Sequence, residues 1–301
     1  MKLKFSAIQL NNKYVYKHDI NPTLLREIIE HSRRKSLQGN AAIFCYSHAL
    51  LLQLDQDPKN HLKELQQSMT EHSDSIDEDD LRILSKLTEN YCVRQINKGL
   101  HEYYEMLYQL MTDRFSRESK LSAVEFKNFI TICLRSEKAG EVLKFIDESR
   151  GKIFPDEIRE DAVNYAMARY YFHEKDYNHV LKLLQQVSYF DPFYKIDSKK
   201  LLIQTYYELE EWDSLESAMN AFRVFIHRNK AISEVHKLNN QNFINLLFQL
   251  IPLHSGQSKK LLKLKNTIAK KEALAERDWL LKKMAVLERQ PKKSYIGWSS
   301  L

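Results

Sequence analysis

Residues 168–187 read ARYYFHEKDYNHVLKLLQQV, and residues 203–222 read IQTYYELEEWDSLESAMNAF. Laid one over the other, Ala168 falls on Ile203, Tyr171 on Tyr206, Tyr177 on Trp212, Val180 on Leu215, Leu184 on Met219 and Val187 on Phe222, always 35 residues apart. Apolar residues recur within each copy at helical spacing, with a polar break before Tyr177 and before Trp212. A period of this length with that pattern marks a two-helix repeat. The clearest copies occupy 156–192 and 193–229, and an all-α chain is expected.

Composition agrees. The chain has 301 residues, 43% of them hydrophobic and 29% charged, which supplies both a continuous core and a solvated exterior. Six Gly and six Pro are too few for a turn-rich all-β fold or for glycine-rich phosphate loops. The three cysteines, Cys45, Cys92 and Cys133, are far apart and form no C-x-x-C, so a disulfide framework or zinc knuckle is not expected. They fit small core residues in a reducing compartment. The N-terminus lacks the apolar run and cleavage site of a signal peptide, and no stretch approaches the roughly 20 apolar residues of a membrane span. A cytoplasmic protein is expected. The net charge of +6 is concentrated: residues 256–293 hold twelve Lys/Arg against four Asp/Glu, which leaves the rest slightly acidic.

Punctuation along the chain predicts the other helices. Residues 2–11 suit either a helix or a hairpin about Asn11-Asn12, with helix favoured. Asn21-Pro22 caps a helix to about Lys35, and helices are predicted over 41–54 and from Asp57-Pro58. The acidic run from Asp74 to Asp80 precedes a helix over 78–97 that ends at Gly99. Ser122-x-x-Glu125 is a capping box, and Asp213-x-x-Glu216 reads as another. Gly140 and Gly151 bracket a further helix, Asp191-Pro192 ends the first clear repeat, and a helix over 232–251 stops at Pro252 and Gly256. Residues 259–288 carry Leu261, Leu264, Ile268, Ala275, Trp279 and Val286 along one stripe, as a single long helical arm would. The domain reading is a repeat array over 1–255, a basic amphipathic arm or cap over 256–290 and a flexible tail over 291–301.

The pair of copies resembles the tetratricopeptide repeat, in which the first helix carries a small residue and an aromatic, the second carries apolar contacts, and Pro closes the unit. Ala168, Tyr171, Val180, Leu184, Val187 and Pro192 stand at those places; Ile203 and His227 depart from the pattern in the second copy. Upstream the likeness holds only with a shift to a 38-residue step between residues 139 and 177. Segments such as 90–93, 181–187, 205–209 and 278–281 also look like those of uncharacterised bacterial helical-repeat proteins, many of them longer at the N-terminal end, so residue 1 is read as lying inside an array. The resemblance implies a right-handed α-solenoid, a superhelix of antiparallel helix pairs, in a bacterial cytoplasm. It also implies that Tyr165, Arg169 and His173 in one repeat, and Lys200, Gln204 and Tyr207 in the next, face the inner surface and are the residues to receive a protein or peptide partner.

Chemistry for catalysis is not legible. The eleven histidines are scattered without a metal-binding spacing, and no nucleophile elbow, Walker loop or dinucleotide fingerprint is present. His173 and His179 flank a turn but lack a third ligand. Paired carboxylates such as Asp79-Asp80 and Glu210-Glu211 sit at helix starts or turns. No catalytic residue, cofactor or metal is expected. The basic arm has three readings: a helix folded back as a cap that buries Leu261, Ile268 and Trp279, a nucleic-acid-binding element, or a helix on an anionic membrane surface. The first is preferred. The function expected is a non-catalytic protein-interaction scaffold, with nucleic-acid binding through the arm as the alternative.

Overall fold

The computed structural model describes residues 2–16, 25–32, 39–54, 57–187, 192–253 and 257–289. Among them the chain is helical except for one two-residue strand pair, and it divides into two units, residues 1–159 and 160–301. The expected cap at Asn21-Pro22, the turn at Asp191, the stop at Gly256 and the tail from Pro291 lie outside the described residues.

The first unit holds α1 (Lys2–Tyr16), α2 (Leu25–Ser32), α3 (Ala41–Gln53), α4 (Pro58–Glu71), α5 (Glu78–Asn97), α6 (Tyr103–Arg117), α7 (Ala123–Arg135) and α8 (Ala139–Ser149). The opening segment is thus helix, not hairpin. Asn40 caps α3 by accepting from the Ile43 amide at 3.0 Å, and Ser122 and Glu125 close their capping box at the start of α7. Each satisfies amides that a helix start leaves without partners. Strand β1 (Leu121–Ser122) pairs in parallel with β2 (Ile153–Phe154). Asp80 does more than charge the start of α5. It accepts from Tyr46 Oη on α3 at 2.9 Å and from Lys4 Nζ on α1 at 2.6 Å. Leu50, Leu62, Leu84, Tyr91 and Phe126 are fully buried at the centre of this unit.

The second unit holds α9 (Arg159–His173), α10 (Tyr177–Gln185), α11 (Pro192–Glu208), α12 (Trp212–Arg228), α13 (Glu234–Leu250), α14 (Ser258–Lys270) and α15 (Arg277–Arg289). The 35-residue step survives in the packing. Ala168 and Ile203 are buried, as are Val180 and Leu215, Leu184 and Met219, Val187 and Phe222. Phe172 meets Tyr177 edge-on at 5.6 Å, and 35 residues later Tyr207 meets Trp212 edge-on at 5.8 Å.

Four helix ends share one turn. Gly99, Glu137, Lys175 and Glu210 take positive φ of 93°, 58°, 61° and 57°. The next residue in each case donates its amide five residues back: Leu100 to Gln95, Lys138 to Cys133, Asp176 to Tyr171 and Glu211 to Tyr206, at 2.9–3.1 Å. These are left-handed C-terminal closures that satisfy the last carbonyls of a helix. They fall at sequence steps of 38, 38 and 35, so the same closure recurs from Gly99 to Glu210. Because the closure lets the next helix start at once, α12 begins at Trp212. Its cap residue is Glu211, which makes no side-chain cap hydrogen bond, and Asp213 lies in the first turn instead of capping.

The arm is two helices, not one. Asn242 Nδ2 on α13 donates to the Ala273 carbonyl at 2.7 Å, and the Ala275 amide donates to the Asn239 carbonyl at 3.1 Å. α13 therefore satisfies the backbone where α14 stops, and neither Gly nor Pro is needed for the break. Leu261, Leu264 and Ile268 of α14 and Trp279, Leu280, Met284 and Leu287 of α15 are buried in the core of this unit with Phe243, Leu247 and Leu250 of α13.

Candidate functional site

Three of the six residues expected on the inner surface, Lys200, Gln204 and Tyr207, meet the chain's own arm. Lys200 and Gln204 are one turn apart on α11, so both side chains point the same way. Lys200 Nζ lies 2.9 Å from Glu276 Oε1, and Gln204 Nε2 donates to Glu276 Oε2 at 3.1 Å. Glu276 sits in the turn before α15, at a positive φ of 54°. Asp197, on the same face of α11, holds Lys200 from the other side at 3.0 Å. Tyr165 on α9 is buried beside this group and meets Tyr194 edge-on at 5.6 Å. Arg169, one turn further along α9, adds its positive charge to the field at Glu276, and its Nε is buried with no hydrogen-bond partner.

The Tyr207 and Trp279 rings meet edge-on at 5.2 Å. Next to it, Trp279 Nε1 donates to Glu208 Oε1 at 3.0 Å, and Lys283 pairs with the same carboxylate. His173, the sixth residue, is exposed at the end of α9 and makes no hydrogen bond or ion pair among the described residues.

The electrostatics follow from this geometry. Burial would raise the Glu276 carboxyl, yet Lys200 and Arg169 outweigh it and hold it below the usual glutamate range. Burial would likewise lower Lys200, but Glu276 and Asp197 raise it. Both ions therefore stay charged at neutral pH. The Tyr165 hydroxyl is pushed up, mainly by burial and then by Asp197, so it stays protonated.

The arrangement fastens the arm to α11. A carboxylate and, three residues later, an indole are received by a cationic slot, an amide, a tyrosine ring and a second carboxylate. The likeness to the tetratricopeptide repeat pointed to Lys200, Gln204 and Tyr207 as a partner surface, and here they meet the chain's own arm; of the apolar stripe read along the arm, Trp279 is buried but Val286 is exposed. Sequence reasoning missed Glu276 and Glu208; only Glu276 left a signal, as one of the four acids among the lysines of 256–293, where Glu276 holds Lys200 and Glu288 holds Lys265.

Elsewhere, Cys45, Cys92 and Cys133 are buried free thiols, the latter two pushed up to about 12 chiefly by burial. Among the described residues no three His, Cys, Asp or Glu side chains are placed to hold a metal ion, and no helix is long and apolar enough to cross a membrane. Comparison with protein-family models, with curated proteins and with solved structures finds no match to this chain.

Proposed function

We propose that the chain is a non-catalytic protein-interaction scaffold: a right-handed superhelix of antiparallel helix pairs, tetratricopeptide-like, acting in a bacterial cytoplasm. The recurring helix-end closure at Gly99, Glu137, Lys175 and Glu210 supports the hairpin stack, because short connections join antiparallel neighbours. The three buried free thiols suit a reducing compartment.

One observation carries the functional reading. Lys200, Gln204 and Tyr207, with the charge of Arg169 behind them, hold a helix start bearing Glu276 and Trp279. A partner segment with a carboxylate three residues before an aromatic ring would find the same donors and the same ring, and would compete with the arm. Aromatic and Arg side chains are the usual anchors of such interfaces. The buried Arg169 Nε, left without an acceptor by the arm, is a donor that such a carboxylate can use.

The test is a labelled peptide of residues 271–289 added to the full chain and to the Glu276→Gln/Trp279→Ala variant, with circular dichroism confirming that the variant stays folded. The peptide is expected to bind the variant, whose seat is opened, and to leave the unaltered chain unbound. A peptide carrying the same two substitutions is expected to bind neither. Failure of the unaltered peptide to bind a folded variant refutes the reading.

A further inference from the structure

α14 has two opposite faces. Leu261, Leu264 and Ile268 are buried in the core of the second unit. Directly across the helix, Lys259, Lys263, Asn266 and Lys270 follow one another at i, i+4, i+7 and i+11, the spacing of a single stripe. With Leu262, Thr267 and Lys271 they line a shallow groove of about 640 Å³.

The charge on this face is not neutralised. Residues 257–271 contain six lysines and no carboxylate. Lys265, on the flank, pairs with Glu288 at 2.8 Å. Among the described residues none of the other five lysines has a carboxylate within ion-pairing distance, whereas Lys4, Lys86, Lys200, Lys237 and Lys283 each have one. The positive row is also held rigidly, because the helix beneath it is anchored by its buried face.

Length and chemistry select the ligand. From Lys259 to Lys270 the row extends about 16 Å at the rise of an α-helix, so a small anion would meet one or two of its charges. One strand of duplex nucleic acid places about five phosphates over that distance. A membrane surface suits the face less, since an interfacial helix buries an apolar side in lipid and the apolar side of α14 is already spent on the core; Leu262 stands alone among the lysines. No aromatic ring lines the groove to stack on an unpaired base. Lysines act as point charges, and Asn266 adds a neutral donor to phosphate oxygens, contacts that carry no sequence information.

We propose that the outer face of α14 is a docking ridge for the phosphate backbone of double-helical nucleic acid, bound without regard to sequence. The ridge is independent of the partner seat on α11.

Fluorescence anisotropy of the full chain with labelled 20-base-pair DNA and RNA duplexes tests it. Binding is expected at 50 mM salt, weakening on the order of 100-fold at 200 mM if about four phosphates are contacted. The Lys259→Glu/Lys263→Glu/Lys270→Glu variant is expected to lose binding with its melting curve unchanged, since all three side chains are exposed. A variant with the same charge change elsewhere, Lys182→Glu/Arg228→Glu/Lys230→Glu, is expected to stay within about fivefold of the unaltered chain at fixed salt. No anisotropy change with either duplex at 50 mM overturns the proposal, as does equal binding by the α14 variant. Preference for a poly-glutamate peptide or for anionic vesicles over both duplexes reassigns the ridge and likewise overturns it.

Discussion

Arg114 is the most heavily used side chain of the first unit. It is buried on α6, and its guanidinium donates to Glu89 of α5 at 2.7 and 3.1 Å, to Glu118 at 2.9 Å and to Glu125 of α7 at 3.1 Å. Burial raises the Glu89 carboxyl despite Arg114. Glu125 is drawn down to about 2, since the Ser122 hydrogen bond, Lys86 and Arg114 outweigh its burial. Replacing Arg114 by Met leaves Glu89 buried without its partner, so Arg114→Met is expected to cost about 3–5 kcal/mol in urea unfolding. In the second unit the informative residue is Glu276. Its folded-state value lies below the ordinary 4.5, so its contribution is complete above 4.5 and is lost as pH falls through the lower folded value. Tryptophan fluorescence should therefore report progressive loosening around Trp279 as pH falls below 4.5 in the unaltered chain. Glu276→Gln should remove that acid step and weaken the arm at neutral pH. An identical acid transition in both proteins would show that Glu276 does not hold the arm. The Ser122–Glu125 box was legible in sequence, but the Arg114 and Glu276 partnerships were not. Their members lie 25 and 76 residues apart, and no local pattern encodes such a pair.

At the scale of the element, the common closure makes a sharp prediction. Gly99 fills the left-handed place in one turn, whereas Glu137, Lys175 and Glu210 fill it with side chains that disfavour that backbone. Glu210→Gly is expected to raise stability by about 1 kcal/mol and Gly99→Ala to lower it by a similar amount, both read as shifts of the thermal midpoint. Opposite signs would mean that these turns are not held in the closed form. Helix positions were readable because apolar spacing and start signals are local: the span predicted over 78–97 matches α5 from Glu78 to Asn97. Two boundaries were not. The start of α12 was misplaced by two residues because a closure made by Glu210 carries no glycine to announce it. The break between α14 and α15 went unseen because α13 makes it, through Asn239 and Asn242.

For the whole molecule, the arm belongs to the core of its unit. Of the twenty buried residues that form that core, seven lie on α14 and α15. At about 1.5–3 kcal/mol each, their burial amounts to roughly 10–20 kcal/mol, comparable with or above the whole stability of about 5–15 kcal/mol typical of a folded protein. Removal of residues 257–301 is therefore expected to abolish the cooperative melting of the second unit and to cause aggregation. A truncated chain that melts like the full one would contradict this packing. For the same reason, ligand binding by the arm has to be tested with substitutions on its exposed face and not by truncation.

The sequence by itself determined the helices, the repeat step and most of the buried stripe of the arm, because periodicity and capping are written over a few neighbouring residues. Only the tertiary structure decided that Val286 leaves that stripe, what lies against Lys200, Gln204 and Tyr207, where the arm breaks and which lysines keep their charge unpaired. Those outcomes depend on which carboxylates and amides arrive from distant helices, and in a chain of alternating charges that choice is made by packing.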